Sequence, residues 1–466
     1  MYSKQERREN ILLYDKERRG KNMKIKIKNV LVIFIMVILI SSLLSTFSGV
    51  YARSNYAYAA GLKYDAPFGY IDMDPTDACL NAMYAYEDAG FSVGGHLNPT
   101  KQVLWENLYA TVQYFTGHGN VDHIVLSPNT GIYIGGDRTE TKTADGGKTK
   151  FENVQFIGTD TVHWDADTDL VSYLACNTAG TNNNVADNSL AKATCARGST
   201  VVFGYTSEVH TVSLGNWSDR YNEKLGQGYG VNDALQYANS FTYLFSDVKN
   251  GMIWHHGNAN MKIGKYNSAT KNSITEDSST LKNDRLVYSS NGINTKKISS
   301  KADIESKLSE IYKDFDSNNY IVEKNTSYCY DINTNMPTEE NVYYDYKLKI
   351  GDYITDAGYT VKLTNGKISE IYDNNIDIEK QEELLKESNK FSANIGKEKL
   401  TTYKTDLNKK VQAKYDNKVE ITGNESIYYY DIVNDKKYVV ISCKSETELD
   451  GEKAGKSIES IMYEIK

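Results

Sequence analysis

Two apolar segments of the sequence each lead into a chemically reactive side chain. Thr111–Phe115 is followed closely by His118, and Leu170–Ala175 is followed directly by Cys176. Both segments have the composition of buried strands, and sites in parallel α/β sheets form at the carboxyl ends of the strands. A thiolate nucleophile needs an imidazole beside it as its proton partner. The sequence therefore predicts that two neighbouring strands bring His118 and Cys176 together as a catalytic pair.

The residues around this pair resemble the signature of the caspase-like cysteine peptidases. That group includes caspases, gingipains, clostripain, separase and bacterial CHAT domains, and its signature is an apolar block ending in His-Gly followed by another ending in Ala-Cys. Leu174–Thr178 is most similar to the CHAT version, as are Ala196–Gly204 and Tyr221–Ala238. The resemblance covers roughly residues 65–260. It departs from the narrow caspase signature, in which Gln precedes Ala-Cys and Gly follows the Cys by two residues, so caspase specificity is not implied.

The resemblance implies a role for each residue that matches the family pattern. Cys176 would be the nucleophile of a cysteine endopeptidase, and His118 the general acid and base that protonates the leaving amine. The backbone N–H groups of Gly119 and Cys176 would form the oxyanion hole, which supplies a large electrostatic contribution to catalysis. In several relatives an acidic residue after the next strand accepts a basic substrate side chain. Glu208 has that place here, unless it is a solvated loop residue. The substrate would be a protein or peptide, and no cofactor or metal is implied.

The sequence leaves other interpretations open. The same fold is compatible with a catalytically inactive caspase-like scaffold that acts as an envelope binding protein, or with a purely structural envelope protein. His256, in a second His-Gly pair, is an alternative proton partner for Cys176. A short alternating run is either a set of metal ligands or a solvated approach to a strand: His163, Asp165, Asp167 and Asp169.

The elements that must position the catalytic pair belong to an expected α/β domain at residues 60–265. The fold class predicted is a caspase-like, mostly parallel sheet with helices on both faces. Ile124–Leu126 and Gly131–Ile134 are expected to form a hairpin, and the polar residues 137–150 a surface loop. Helices are expected at Ala78–Ala89, Lys101–Ala110, Ser189–Ala196 and Val231–Asn239, and around a helical face formed by Trp217, Tyr221 and Leu225.

The second half of the chain contains an internal repeat. Residues 266–300, rich in Ser, Asn, Thr and Lys, are expected to be a linker. Beyond them Tyr328–Ile332 recurs as Tyr428–Ile432, each time after a Lys-rich helical stretch. This long period predicts two α+β Tyr-rich modules, at 301–378 and 379–466. Neither contains a histidine, so we expect both to be dispensable for catalysis and available to bind another protein.

Residues 1–52 have the composition of an export signal behind a charged prefix. Lysines precede the apolar run Val30–Ile40, and small-x-small cleavage sites end at Ala52 and at Ala59. The alternative is a retained membrane anchor, because no charge falls between Lys28 and Arg53 and an uncharged stretch of that length can span a bilayer. In both cases the protein is expected to be secreted or associated with the cell envelope.

Charge and cysteine content argue against three other classes of site. Residues 1–52 contain ten Lys/Arg and four Asp/Glu, so the overall charge of −8 leaves −14 on the rest of the chain. This acidic body lacks the basic surface that binds nucleic acid. The five cysteines are odd in number and widely spread, with no CxxC pair, which argues against a disulfide framework and a zinc site. Cys79 and Cys195 are expected in the core, and His123 on the surface.

Overall fold

The structure, a computed structural model, describes most of the chain after residue 54. The described ranges are 55–63, 75–144, 149–162, 164, 168–181, 184–185, 188–264, 285–290, 297–298, 300–375, 377–393, 395–414, 419–449 and 452–465. The predicted export segment 1–52, most of the predicted linker 266–300, and His163, Asp165 and Asp167 lie outside the described residues. Within these ranges, no helix is both long and apolar enough to cross a bilayer.

Five parallel strands form the part of the main sheet that carries the candidate pair. All strands of the chain are numbered in sequence order. The five parallel strands are β1 (Tyr56–Gly61), β2 (Ser92–Leu97), β3 (Val112–Thr116), β9 (Leu170–Leu174) and β12 (Val201–Tyr205). They lie in the order β2-β1-β3-β9-β12, and β13 (Gly251–His255) follows antiparallel to β12. Every residue of β3, β9 and β12 is buried, as expected for parallel strands covered on both faces.

Helices cover both faces of these strands. One face carries α1 (Thr76–Asp88), α4 (Thr211–Gly226) and α5 (Val231–Asn239), and the other carries α2 (Lys101–Asn107) and α3 (Leu190–Ala196). The five helices fall on or close to the predicted positions. The chain is therefore a mixed α/β protein with a large central sheet.

Alternation of side chains along the strands produces the two helix-covered faces. Within β9, Leu170 packs in the layer of α1, α4 and α5, while Val171 packs in the layer of α2 and α3, because successive strand side chains point to opposite faces. On α4, Trp217, Tyr221 and Leu225 are all fully buried. The predicted helix face is therefore confirmed.

A second, five-stranded sheet follows β3 in the chain. It contains β4 (His118–Asn120), β5 (His123–Ser127), β6 (Thr130–Tyr133), β7 (Arg138–Ala144) and β8 (Thr149–Gly158), in the order β4-β5-β6-β8-β7. β5 and β6 form the predicted hairpin. A short pair, β10 (Gly180–Thr181) and β11 (Asn184–Val185), lies after Cys176.

Two predictions in this region are wrong. Residues 137–150 contain β7 and the start of β8, because the polar side chains of this edge strand are paired: Lys142 lies 2.7 Å from Glu140 and 4.4 Å from the centre of the Tyr133 ring. His123 is buried rather than on the surface. Its ring centre lies 6.3 Å from that of Tyr133 in a stacked arrangement, so the imidazole behaves as an aromatic core residue.

The two predicted C-terminal modules contain similar successions of elements. Each has a helix, a strand that ends in the repeated Tyr-rich segment, a tight turn and two long antiparallel strands. The elements are β14 (Leu286–Ser289), α6 (Lys301–Ile311), β15 (Tyr320–Asp331), β16 (Met336–Ile350), β17 (Tyr353–Thr364) and β18 (Lys367–Asp373), then α7 (Ile378–Lys386), α8 (Lys397–Lys414), β19 (Val419–Asp431), β20 (Lys436–Leu449) and β21 (Glu452–Ile465). β14 lies inside the predicted linker 266–300 and pairs with β18, so that part of the linker prediction is wrong.

The repeated segment joins each module to the strands that precede it. Tyr328 of β15 pairs in parallel with Met252 of β13, and Tyr428 of β19 pairs in parallel with Tyr353 of β17. One sheet of 14 strands therefore runs through both halves of the described chain. The first module is thus attached directly to the part that carries the candidate pair.

Candidate active site

The register between β3 and β9 places the two predicted catalytic residues at one edge of the sheet. The strands pair in parallel along their whole length, ending with Thr116 opposite Leu174. His118 and Cys176 each follow two residues after that last pair. Because carboxyl ends of neighbouring parallel strands meet at one edge, the structure brings the segments of both residues together, as predicted.

Hydrogen bonds fix the turn after Cys176 against the neighbouring strand β12. Asn177 adopts the left-handed backbone region (φ 58°), which Asn tolerates better than most residues. Its N–H donates to the carbonyl oxygen of Ser207 at 3.1 Å, and the Tyr205 N–H donates to Oγ1 of Thr178 at 3.4 Å. The turn therefore has one defined position at the end of β9.

Gly119 lies directly against this turn. A Cβ added at Gly119 would lie 2.7 Å from Cβ of Ala175, 2.7 Å from the carbonyl oxygen of Cys176 and 2.9 Å from Cγ2 of Thr178. All three separations are shorter than a real Cβ tolerates, so only glycine allows β4 to approach this closely. The residue next to His118 is thus in close contact with the turn that carries Cys176.

The sulfur of Cys176 contacts the backbone of Val209, in the segment after β12. The Val209 N–H donates to Sγ across 3.5 Å, and the thiol lies 3.9 Å from the Val209 carbonyl oxygen. An N–H donor favours the thiolate over the thiol, because it stabilises the negative charge on sulfur. The carbonyl of the same residue accepts from the thiol and favours the protonated form, so the Val209 backbone contacts sulfur in either state.

The other four cysteines are buried in the core. All five lie in the described part of the chain, and Cys176 alone is only partly buried. Burial raises the pKa of the Cys195 thiol, and it is also the main cause of the raised pKa of Cys329. Buried thiols of this kind behave as small apolar groups. The prediction that Cys79 and Cys195 belong to the core is confirmed.

His118, at the start of β4, is enclosed by the second sheet. Both of its ring nitrogens are shielded from solvent, and its ring centre lies 5.6 Å from that of Phe151. Phe151 itself belongs to an apolar cluster with Leu62 and Val125. The ring nitrogens are therefore out of contact with solvent in this structure.

Glu208 lies in the same segment as Val209, immediately before it. The segment is held to the turn of Cys176 by the bond from Asn177 to Ser207 and by the contact of Val209 with sulfur. Glu208 is partly buried. The backbone of Glu208 is thus close to the turn of Cys176.

His210 and Asp247 lie beside this segment and were not predicted as site residues. Nδ1 of His210 is hydrogen-bonded to the Asp247 carboxylate, and the imidazole stacks on Phe245 with ring centres 3.9 Å apart. His210 follows a buried strand at the same edge as Cys176, and that position is a signal that would have singled it out. Asp247 had no such signal, because it comes from a separate segment.

The alternative proton partner, His256, lies at the opposite edge of the sheet. β13 runs antiparallel to β12, so His255 at the end of β13 pairs with Val201 at the start of β12. Nε2 of His256 is hydrogen-bonded to the carbonyl oxygen of Cys195 at 2.9 Å. The direction of β13 therefore excludes His256 as the partner of Cys176 in this structure.

Of the four alternating residues His163, Asp165, Asp167 and Asp169, the structure describes Asp169 alone. Among the described residues, no group of three or more His, Cys, Asp or Glu side chains is placed to hold a metal ion.

Comparison with protein-family models finds no match for this chain, and comparison with curated proteins finds none either.

Proposed function

We propose that this chain is an exported cysteine endopeptidase of the caspase-like kind, with Cys176 as nucleophile and His118 as its proton partner. The observation that carries the proposal is the register that ends β3 and β9 side by side, with Thr116 opposite Leu174. In the proposed reaction the Cys176 thiolate attacks the scissile carbonyl carbon and His118 protonates the leaving amine. Water then hydrolyses the thioester, which releases the acid product and regenerates the thiol.

The close packing around Cys176 supports the proposed oxyanion hole. Gly119 approaches the turn of Cys176 so closely that no Cβ fits between them. The two backbone N–H groups proposed to bind the oxyanion, those of Gly119 and Cys176, therefore belong to segments in direct contact. Donors fixed before the reaction stabilise developing negative charge without reorganisation, which is why such pairs are effective.

The layered fold supports a caspase-like arrangement. Five parallel strands in the order β2-β1-β3-β9-β12, with helices on both faces, deliver the pair from adjacent strand ends. We infer that this part forms the peptidase domain and that the two C-terminal modules arose by duplication. Export is inferred from the charged and then apolar composition of residues 1–52.

For substrate preference, we propose that Glu208 pairs with an Arg or Lys side chain at the cleavage point. A carboxylate forms strong, charge-assisted hydrogen bonds with such groups, and the Glu208 segment adjoins Cys176. Cleavage of a peptide library should show a preference for Arg or Lys that Glu208→Gln abolishes. Glu223→Gln, an exposed helical control, should leave the preference unchanged. A parent protein without that preference removes this proposal.

Labelling with a peptide-based electrophile under reducing conditions tests the proposed function. The reagent should modify the folded protein at one residue, and peptide mapping should identify that residue as Cys176. Cys176→Ala should lose both labelling and cleavage of a peptide substrate. If the folded Cys176→Ala variant cleaves as well as the parent, the assignment to this pair is wrong.

A second candidate function is a catalytically inactive scaffold that binds a partner at the cell envelope through its C-terminal modules. The shielding of both His118 ring nitrogens favours it, because a proton donor must reach the leaving group. A parent protein that neither cleaves peptides nor takes up the electrophile would support this alternative over the peptidase.

A further inference from the structure

The segment Thr206–His210, which follows β12, lies beside the turn that carries Cys176. Its Val209 N–H lies 3.5 Å from Sγ of Cys176, and its Ser207 carbonyl accepts the Asn177 N–H at 3.1 Å. Its first two residues are held by Asn250, whose carbonyl accepts the Thr206 N–H at 2.9 Å and whose side-chain amide donates to Oγ of Ser207 at 3.3 Å, while Val209 lies further along the segment. The reactivity of the thiol therefore depends on whatever fixes Val209 in place.

His210, the next residue, supplies that anchor. Its side chain is hydrogen-bonded through Nδ1 to the Asp247 carboxylate, and its backbone N–H donates to the other carboxylate oxygen at 3.4 Å. The imidazole also stacks on Phe245 with an interplanar angle of 8°. Only 22% of the His210 side chain and 21% of the Asp247 side chain are exposed. All three contacts come from one short stretch, residues 245–247.

That stretch is itself held by the first C-terminal module. The Leu244 carbonyl accepts a hydrogen bond from Nζ of Lys347 at 2.8 Å, and the Ser246 N–H donates to Glu323 at 3.4 Å. Lys249, three residues after Ser246, forms a fully buried ion pair with Asp345 of the same module. Residues 244–249 therefore contact His210 on one side and the module on the other.

We propose that His210 is a positioning residue for the Cys176 thiol, and that the first module controls this thiol through residues 244–249. The inference rests on the proposed function, in which Cys176 reacts as a thiolate. With His210 anchored on Asp247, the Val209 N–H stays on sulfur and stabilises the thiolate. Without the anchor, Val209 moves away and the thiol is harder to ionise. This conclusion opposes the expectation that residues 301–466 are dispensable.

The pH dependence of Cys176 alkylation in the full chain tests the positioning role. Iodoacetamide reacts with the thiolate, so the rate from about pH 5 to about pH 10 gives the titration of the thiol. His210→Ala and Asp247→Asn should each raise the midpoint by about one pH unit and slow the reaction about tenfold at neutral pH, as expected for loss of a hydrogen bond to a charged group. His210→Asn keeps a donor near the Nδ1 position and should restore part of the shift. His256→Ala is the matched control and should leave the profile unchanged.

A second pair of variants tests the involvement of the module. Glu323→Ala removes the acceptor for the Ser246 N–H and the partner of Lys347, and it should raise the midpoint in the same direction. Glu370→Ala removes another lysine partner in the same module, that of Lys362 at 3.0 Å, and should have no effect. Equal alkylation profiles for Glu323→Ala and Glu370→Ala would overturn the proposal that the module controls the Cys176 thiol.

Alkylation does not require peptide cleavage, so the two proposals fail in different ways. A folded His210→Ala variant with the parent's profile overturns the positioning role, whether or not the parent is a peptidase. A parent that alkylates with a lowered midpoint but cleaves no peptide contradicts the proposed function. In that case a shift in His210→Ala still supports the positioning role.

Discussion

Thr116 of β3 lies opposite Leu174 of β9, and the same separation in sequence relates His118 to Cys176. The candidate pair is thus a consequence of strand register. A slip of one residue would turn every side chain of a strand to the other face, and both faces here are packed against helices. The buried core of the sheet therefore keeps the two segments aligned.

Selective alkylation of Cys176 is the first prediction. In the folded parent at neutral pH, Cys176 should react while Cys195 and Cys329 do not, because burial raises the pKa of both buried thiols. Quantitative mass spectrometry of labelled peptides measures each site. After unfolding, all five cysteines should react at similar rates. Labelling of Cys195 before Cys176 in the folded protein would contradict the prediction.

Loss of the imidazole should reduce turnover more than it reduces substrate binding. His118→Ala is expected to lower kcat by about 10²–10⁴-fold, the usual contribution of general acid–base catalysis. The double variant with Cys176→Ala should lose no more than Cys176→Ala alone, because the two residues act as a unit. Steady-state kinetics on a peptide substrate measures these losses. His256→Ala, at the opposite sheet edge, should retain the parent's kcat, and a comparable loss there would contradict the assignment.

The glycine beside His118 should not tolerate even a methyl group. In Gly119→Ala the new Cβ would lie 2.7 Å from the carbonyl oxygen of Cys176. Backbone must shift to relieve the contact, at a cost of about 1–3 kcal/mol in the free energy of unfolding, and the two segments of the site should move apart. Gly136→Ala is the matched control, because its Cβ meets no atom within 4 Å. Chemical denaturation and alkylation rates compare the two, and equal effects would disprove the steric argument.

The α/β half and the adjacency of the His118 and Cys176 segments could be predicted because each depended on a local pattern. Leu170–Leu174 is apolar throughout, as a strand buried on both faces must be, and Cys176 follows it directly. His123 and β7 could not be predicted in this way, since their placement depends on tertiary partners such as Tyr133. The Asp247 partner of His210 depends on how a distant segment folds back, and no local pattern encodes that contact.

The mature N-terminus should follow Ala52 and not Ala59. Tyr56–Gly61 is the interior strand β1, paired on both sides with β2 and β3, and Ala59 is fully buried. Cleavage after Ala59 would remove most of this strand and expose the edges of both neighbours. Mass spectrometry of the exported protein locates its first residue. A folded, active protein that begins at Ala60 would contradict this prediction, and an intact chain in the cytosol would contradict export.

The buried ion pair between Lys249 and Asp345 should be costly to break but not to replace. Lys249→Met alone leaves a buried carboxylate without its partner and should lower the free energy of unfolding by about 3–5 kcal/mol. The double variant Lys249→Met/Asp345→Leu removes both charges and should lie close to the parent or above it, by up to about 4 kcal/mol. Chemical denaturation of the parent, both single variants and the double variant gives the coupling between the two residues.

The pH dependence of stability provides an independent check on this pair. Burial, the largest cause, lowers the pKa of Lys249 from 10.5 to about 8. Between these two values the unfolded chain binds a proton that the folded chain has released, so the contribution of Lys249 to the free energy of unfolding rises with pH over that window. The difference in stability between the parent and the double variant should therefore shift in favour of the parent from about pH 8 to about pH 10.5. A difference that stays constant over that range, or shifts towards the double variant, would show that Lys249 keeps its proton in the folded protein.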